Sequence, residues 1–262
     1  MAWERESDDL ITRASITQQF DGLSGFYNDI AFGGLTTRIA ATLAPDGAIR
    51  MEPSEFSLAL VDVGIPISEI TASYSVDFTG PRFAVQNLGM SALGGRILAD
   101  PFEYSPGDPV NIIMLRPRSV QLQFMVDLAE FDDISLSGSI SGRIPVTINS
   151  STVTVTDGRL ESDAPGGVIR YKAGAAAGVN AEIGLVSRAL GNFQYDSLTS
   201  DVNYTETGDL ILKMRLSGIN PDMDARQPVI LNLGVENNIP QLLRSLQATR
   251  DIEDILRKRG MN

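Results

Sequence analysis

Apolar and polar residues alternate with a period of two through most of the region from Gly22 to Tyr171. The alternation is clearest in Phe56–Leu60 and in Ile70–Phe78, where apolar side chains occupy every second position. Successive side chains of a strand point to opposite faces, so the pattern predicts strands with one apolar and one polar face. Turn residues such as Pro45-Asp46-Gly47 interrupt the pattern about every 8 to 14 residues, which favours an antiparallel meander over βαβ units.

Strand patterns resume after residue 192 and continue almost to the C-terminus. The cleanest strand is predicted at Leu210–Leu216, and Val229–Val235 follows as the last strand. Apolar residues at helical spacing predict a helix over Ala181–Leu190 and a C-terminal helix from Ile239 to about Lys258. A short helix or turn is predicted around Phe124–Phe131.

The predicted helices are too few to cover the apolar faces of so many strands. A sheet must bury its apolar face against another layer, so two arrangements remain open. In the first, the sheet closes into a barrel or sandwich with an ordinary core. In the second, a long curled sheet keeps a concave apolar face for an elongated apolar ligand, because large exposed apolar surfaces of proteins are usually functional.

Composition excludes several classes of function. The 262-residue chain contains no Cys and no His, which removes thiolate nucleophiles, Cys-ligated metals and every Ser-His-Asp device. Its net charge of −12 argues against nucleic acid as a partner. Hydrophobic residues make up 43% of the chain, which is enough for a core and rules out general disorder.

Two acidic clusters are candidates for a metal site or a catalytic site. Asp222 and Asp224, with Arg226 in the same loop, offer too few oxygen ligands for a calcium site, which takes about six to eight. Asp132-Asp133 could be half of a carboxylate pair for glycoside hydrolysis, but the sequence shows no second carboxylate opposite it, and a turn that caps a strand or helix is the favoured interpretation. The sequence therefore predicts no catalytic residue, no metal and no cofactor.

The N-terminus has neither a basic region nor an apolar core, so no signal peptide is predicted. No apolar run approaches the roughly 18 to 20 residues that span a bilayer, so no transmembrane segment is predicted in this chain. These observations leave two options, a cytosolic protein or a piece of a longer exported chain.

A series of short motifs in the C-terminal half resembles one family. In chain order the motifs are SGRIPV (141–146), DGRLE (157–161), PGGVIRY (165–171), ALGNFQYDSL (189–198), GDLIL (208–212), GINP (218–221), PVILN (228–232) and NIPQLLRSL (238–246). This order is similar to that in the C-terminal domain of YdbH-type proteins, which are AsmA-like, bridge-like lipid transfer proteins of Gram-negative bacteria. A looser resemblance reaches back to about Gly22, through Gln86–Leu88 and Gly94-Gly95.

The resemblance implies a mainly β fold, in which a long curled antiparallel sheet forms a U-shaped groove, the β-taco, with a few short helices. It implies a longer protein anchored in the inner membrane, whose groove carries phospholipid acyl chains across the periplasm. This chain would be the outer-membrane-proximal end and would pair with a small outer-membrane lipoprotein. The expected organisation is an N-terminal segment over 1–21, a β-groove domain over 22–238 and a C-terminal helix over 239–262.

The predicted lipid-binding residues are the apolar positions of the alternating strands, and ordinary core is the alternative for each one. They are Phe56, Leu58, Leu60, Tyr74, Val76, Phe78, Leu136, Ile140, Leu210, Leu212, Met214, Leu216, Leu231 and Leu233. The last strand and the C-terminal helix are predicted to contact the partner, through Val229, Leu242, Leu243 and Leu246. That helix either caps the groove or moves aside so that a partner strand adds to the sheet.

Two functional classes compete on this basis, apart from a carboxylate enzyme, which the composition disfavours. One is a hydrophobic conduit for phospholipid, which predicts bound lipid and a continuous apolar surface. The other is a structural adaptor that docks a lipoprotein by β-augmentation, carries no lipid and closes on its own core.

Overall fold

The strands that the alternation predicts are present in the computed structural model of the chain. The structure describes residues 2–4, 13–27, 30–128, 131–149, 152–172, 188–224 and 227–244. The first nine strands are β1 (Ala2–Glu4), β2 (Arg13–Tyr27), β3 (Ile30–Leu43), β4 (Ile49–Met51), β5 (Ser54–Asp62), β6 (Pro66–Asp77), β7 (Arg82–Ala92), β8 (Gly95–Ala99) and β9 (Phe102–Tyr104). The later strands are β10 (Val110–Arg118), β11 (Val120–Gln121), β12 (Ile134–Leu136), β13 (Ser139–Asn149), β14 (Thr152–Ser162), β15 (Gly167–Tyr171), β16 (Phe193–Tyr204), β17 (Asp209–Ile219) and β18 (Val229–Asn238).

These strands form one large antiparallel sheet, which confirms the predicted mainly β fold. The U-shaped groove stays a prediction. The chain divides into two compact units. The first unit comprises Met1–Ala92, Ile97–Leu115 and Val146–Val153, and the second comprises Leu93–Arg96, Arg116–Pro145 and Thr154–Asn262. This division does not test the predicted boundaries at residues 21 and 238.

In the first unit, strands that follow one another in sequence lie side by side. β2 pairs with β3, β3 with β5, β5 with β6 and β6 with β7, all antiparallel. The short strand β4 pairs with β3 and β6, and β9 pairs with β7. This is the meander that the regular spacing of turn residues predicted.

The second unit contains a longer-range arrangement. β16, β17 and β18 form a consecutive meander, and β14 and β15 both pair with β16. β12 pairs with β15, and β11 pairs with β13.

The helices are short. The helix α1 (Leu122–Leu128) lies where a short helix or turn was predicted, and its Leu122 side chain is buried. The helix α2 (Pro221–Asp224) begins at a proline, and the side chain of Asn220 accepts a hydrogen bond from the backbone N–H of Asp222 at 2.8 Å.

The structure describes only part of the other two predicted helices. Residues 188–190 and 239–244 are helical. The Asn238 side chain caps the second of these by accepting a hydrogen bond from Gln241 N at 3.1 Å. The predicted helical residues 181–187 and 245–258 lie outside the described part of the chain.

The described core lies mainly in the second unit. Its buried apolar residues are Val120, Leu122, Ile140, Val155, Leu160, Ile169, Ala189, Phe193, Tyr195, Leu198, Val202 and Leu216. In the described part of the first unit, only Ala41 and Ala92 are buried apolar residues.

Tyr195 organises one end of this core. Its hydroxyl donates a hydrogen bond to the backbone oxygen of Ser137 at 2.7 Å, and burial raises its pKa to about 12. Gly138 has a φ of +98°, and a Cβ there would collide with the Tyr195 hydroxyl. Glycine is therefore required at Gly138 both by its backbone conformation and by the tyrosine packed against it.

Candidate functional site

The strand registers show which predicted site residues share a face, because residues directly opposite in an antiparallel pair project to the same side of the sheet. In the second unit, Leu212, Met214 and Leu216 of β17 each lie between apolar or small neighbours, and Leu210 lies between Tyr204 and Asn237. The rows across β16, β17 and β18 are Leu198–Leu216–Leu231, Ser200–Met214–Leu233, Val202–Leu212–Val235 and Tyr204–Leu210–Asn237. Six predicted residues, Leu210, Leu212, Met214, Leu216, Leu231 and Leu233, are thus brought together on one apolar face.

Burial on this face decreases from β16 towards β18. Leu198 and Val202 on β16 are buried, whereas Leu212 and Met214 on β17 and Leu233 on β18 are only half-buried. The half-buried positions are the ones that a ligand reaches without displacing core residues.

Two of the predicted residues are deep in the core. Leu216 is 1% exposed and Ile140 is 3% exposed. Ile140 lies opposite Val120, which is also buried. Both residues therefore have the surroundings of ordinary core, the alternative that the sequence left open for each position. Leu136 lies opposite buried Ile169 and is itself half-buried.

The opposite face of the same strands is polar. The row Arg159–Asp201–Lys213 crosses β14, β16 and β17 with alternating charge. The next row contains Thr199 and Arg215. The second unit thus presents one apolar and one charged face, as the alternation predicted.

The first unit carries a second apolar face, built by β2, β3, β5, β6 and β7. Its rows include Phe20–Thr37–Phe56–Ala72, Leu58–Ile70, Ser54–Tyr74–Val85 and Val76–Phe83. The predicted residues Phe56, Leu58, Leu60, Tyr74 and Val76 share this face. Phe78 follows the end of β6 in a turn.

None of these predicted residues in the first unit is buried. Phe56, Leu58, Tyr74 and Val76 are half-buried, and Leu60 is 46% exposed. The Tyr74 hydroxyl is held 3.1 Å from Oγ1 of Thr37, which donates a hydrogen bond to the backbone oxygen of Glu55. This is an apolar surface with a few fixed polar atoms.

Sequence reasoning missed several residues of both faces. Their common signal is that they lie in the same cross-strand row as a predicted residue, which only the register reveals. They are Leu198, Val202 and Val235 in the second unit, and Phe20, Ile70, Phe83 and Val85 in the first unit.

The predicted partner-binding residues lie at the end of the described chain. Val229 is opposite Gly218, on the same apolar face as Leu231. Leu242 and Leu243 are half-buried on the helical residues 239–244, and Leu246 lies outside the described residues. β18 is paired with β17 along its length.

One acidic cluster occupies the local structure that the non-catalytic interpretation predicted, and the other does not. Asp132 and Asp133 are exposed in a turn before β12, as expected, whereas Asp222 and Asp224 lie in the helix α2 and not in the solvated turn expected after Pro221. Arg226 falls outside the described part of the chain. Within the described residues, no group of three or more acidic side chains is placed to hold a metal ion.

Two pockets have polar residues in their lining. One, of about 720 Å³ in the first unit, is lined by the polar row Thr36–Ser57–Thr71 and also by Phe56 and Ala72. The other, of about 570 Å³, is lined by arginines of the second unit. Among the described helices, none has both the length and the apolar character needed to cross a bilayer.

Comparison with known families finds one match that covers nearly the whole chain. The family model YdbH-like, described as "Intermembrane phospholipid transport protein YdbH", matches residues 4–260. Searches of curated proteins and of solved structures found no match.

Proposed function

The chain belongs to the YdbH-like family of intermembrane phospholipid transport proteins, and from this premise we propose that its two apolar faces shield phospholipid acyl chains. The main support is that apolar residues in the cross-strand rows are only half-buried. The clearest cases are Leu212 and Met214 in the second unit and Phe56 and Tyr74 in the first. Each CH₂ group moved from water onto such a surface contributes roughly 0.8 kcal/mol. No covalent step is needed for this function, and the family match does not support an adaptor that carries no lipid.

The first test replaces Leu212 and Met214 together by Asp and measures lipid retained by the purified protein. We expect native mass spectrometry and organic extraction to find phospholipid on the wild-type chain and little or none on the variant. Acyl chains on this face would remove the two carboxylates from water, and burying an unpaired charge costs free energy. The matched control places Asp at Ser217 and Asn232, which lie on the polar face of the same strands. Equal lipid in the Leu212/Met214 variant and in a correctly folded control would contradict the assignment.

The second test addresses the first unit separately. A photo-crosslinking side chain at Leu60, on the apolar face, should yield lipid adducts, whereas one at Ser57, on the polar face of the same strand, should not. Equal adduct yields at the two positions would exclude this face as a lipid surface.

We also propose that β18 receives a strand from a small outer-membrane lipoprotein. The support is that β18 is the last described strand and has a defined register on one side. An unpaired strand edge presents backbone N–H and C=O groups that favour strand addition. A photo-crosslinker at Asn232 should give an adduct labelled with metabolic palmitate in cells, and a crosslinker at Ser57 should not. A palmitate-labelled adduct at both sites, or at neither, would contradict docking at β18.

The family role in intermembrane transport is consistent with a periplasmic location. The finer proposal is that the chain is the outer-membrane-proximal part of a protein anchored in the inner membrane. Antibody against this chain should then detect the full-length protein in the inner-membrane fraction of cells. Recovery of full-length protein in the soluble fraction would contradict anchoring.

A further inference from the structure

The arginine-lined pocket of the second unit lies on the charged side of the sheet, opposite the apolar face. Its charged lining comes from β10, β13 and β14, which are neighbours in the sheet, and from Asp163 just after β14. These residues, named here the arginine pocket, are Arg116, Arg118, Arg143, Arg159, Glu161 and Asp163. Arg159 lies opposite Asp201, in the row that also contains Lys213. This row belongs to the polar face of the sheet.

The charge of the arginine pocket is opposite to that of the whole protein. Four guanidinium groups and two carboxylates give a local charge of 4 − 2 = +2, whereas the chain carries −12. Such an acidic protein is repelled from anionic surfaces in general. Any attraction to an anion must therefore come from a local site, and this pocket supplies one.

The two carboxylates of the pocket are already engaged. Glu161 Oε1 lies 3.2 Å from Arg159 Nε, and Asp163 Oδ2 accepts a hydrogen bond from Ser139 Oγ at 2.6 Å. Partial burial acts to raise the pKa of Asp163, but hydrogen bonds from serine hydroxyls and the charge of Arg118 hold that pKa below its ordinary value. Asp163 thus stays ionised and fixed.

Arg143 retains capacity for an external anion. Arg143 is exposed and has no ion-pair partner among the described residues. A guanidinium presents several N–H donors in a planar fork that matches two oxygens of a phosphate group. Convergence of arginines on a pocket of about 570 Å³ therefore suits a phosphate group better than a single carboxylate.

We propose that the arginine pocket binds the phosphate of a lipid headgroup at a membrane surface. The family role brings the chain into contact with phosphate-bearing lipids, which favours a headgroup over a soluble phosphate as the source. This site contacts the headgroup of a membrane lipid and lies on the face opposite the acyl-chain surface. It does not depend on acyl-chain shielding.

The test measures binding of the full chain to vesicles of equimolar phosphatidylglycerol and phosphatidylcholine, and to vesicles of phosphatidylcholine alone. We expect binding to the anionic vesicles, weakened by added salt. The variant with Arg143→Gln and Arg159→Gln should bind the anionic vesicles about 30-fold more weakly, because it lacks two positive charges near the membrane surface. The matched control, Arg50→Gln with Arg82→Gln, removes two exposed arginines of the first unit and should change binding less than about twofold.

Three outcomes would overturn the proposal. They are equal binding to both kinds of vesicle, equal losses in the pocket and control variants, and calorimetric binding of inorganic phosphate without vesicle binding. Circular dichroism and thermal unfolding of the variants guard against misfolding. The Asp substitutions at Leu212 and Met214 should leave vesicle binding intact, so failure of acyl-chain shielding and failure of the headgroup site are distinguishable.

Discussion

The two units carry the same alternation of apolar and polar residues but bury it to different extents. In the second unit, apolar side chains such as Phe193 and Leu216 are completely or almost completely enclosed. In the first unit, the large side chains of the apolar face such as Phe56 and Tyr74 are only half-buried, and Leu23, Phe26 and Leu60 are among the unit's exposed apolar residues. The second unit therefore has a core that holds its strands together, whereas the first keeps apolar surface accessible.

This difference separates residues that stabilise the fold from residues that are accessible to a ligand. Burial of apolar area stabilises a fold by about 25 cal/mol per Å², so enclosed residues of the second unit carry stability. Apolar area that remains exposed in the native state contributes less stability but is available to a ligand. Substitutions of apolar residues should therefore lower the free energy of unfolding more in the second unit than in the first.

The largest effect is expected for Leu216→Ala in the second unit. Removing this enclosed side chain should lower the free energy of unfolding by about 3 kcal/mol, the sum of lost transfer free energy and a cavity. Leu60→Ala in the first unit should lower it by less than about 1 kcal/mol because Leu60 is largely exposed. Urea denaturation measures both, and equal losses would remove the distinction between the units.

A slightly smaller effect is expected for Asn220→Ala. The Asn220 side chain is 1% exposed, and its Nδ2 donates hydrogen bonds to the backbone oxygens of Arg188 and Ala189 at 2.8 and 2.9 Å. The substitution leaves those oxygens unpaired, so unfolding should become easier by about 2 kcal/mol. Asn237→Ala on β18 is the control, and a loss as large in the control would show that the buried hydrogen bonds are unimportant.

Tyr195→Phe should lower the free energy of unfolding by about 1 kcal/mol, since the bond to Ser137 is lost while the ring still packs. The raised pKa of Tyr195, about 12, also predicts a pH dependence. The neutral phenol is favoured in the folded state, so its contribution is complete below the unfolded pKa and is lost as pH rises towards 12. Stability profiles of wild type and variant should converge over that alkaline range, and parallel profiles would contradict the assignment.

The smallest stability effect is expected at Asp209, the first residue of β17. Hydrogen bonds from the side chains of Thr207 and Asn238 hold the pKa of this carboxylate below its ordinary value. A depressed pKa stabilises the fold above the unfolded pKa, and the contribution is lost as pH falls through the folded value. Asp209→Asn should therefore weaken the acid dependence of unfolding slightly. An unchanged acid limb of the profile would contradict this role.

Much of this architecture follows from local patterns. The alternation in β5, β6, β17 and β18 predicted strands, their apolar faces and the meander. Asp157-Gly158 and Thr207-Gly208-Asp209 both have turn-type residues. The second segment joins β16 to β17, but Asp157 and Gly158 lie inside β14 at a register shift. A bulge is compatible with turn-type residues, so local chemistry alone did not distinguish the two structures.

The candidate site was predicted in part. Alternation selects the positions of a face within one strand, which is why Leu210, Leu212, Met214 and Leu216 were found. Their neighbours Val202 and Val235 depend on register, and the depth of Leu216 depends on what packs against it. The arginine pocket escaped sequence reasoning because its residues come from β10, β13 and β14, and each looks like an ordinary solvated charge in isolation.

The sequence by itself determined that this is a mainly β protein with two-faced strands, that it has no Cys or His chemistry, and that its motifs are those of a lipid transfer family. Strand periodicity and composition are local properties, so they are readable without a structure. Tertiary structure alone decided which apolar faces are enclosed and which are accessible, and where scattered arginines converge. Burial and electrostatic clustering arise from contacts between residues distant in the chain, and no local pattern specifies them.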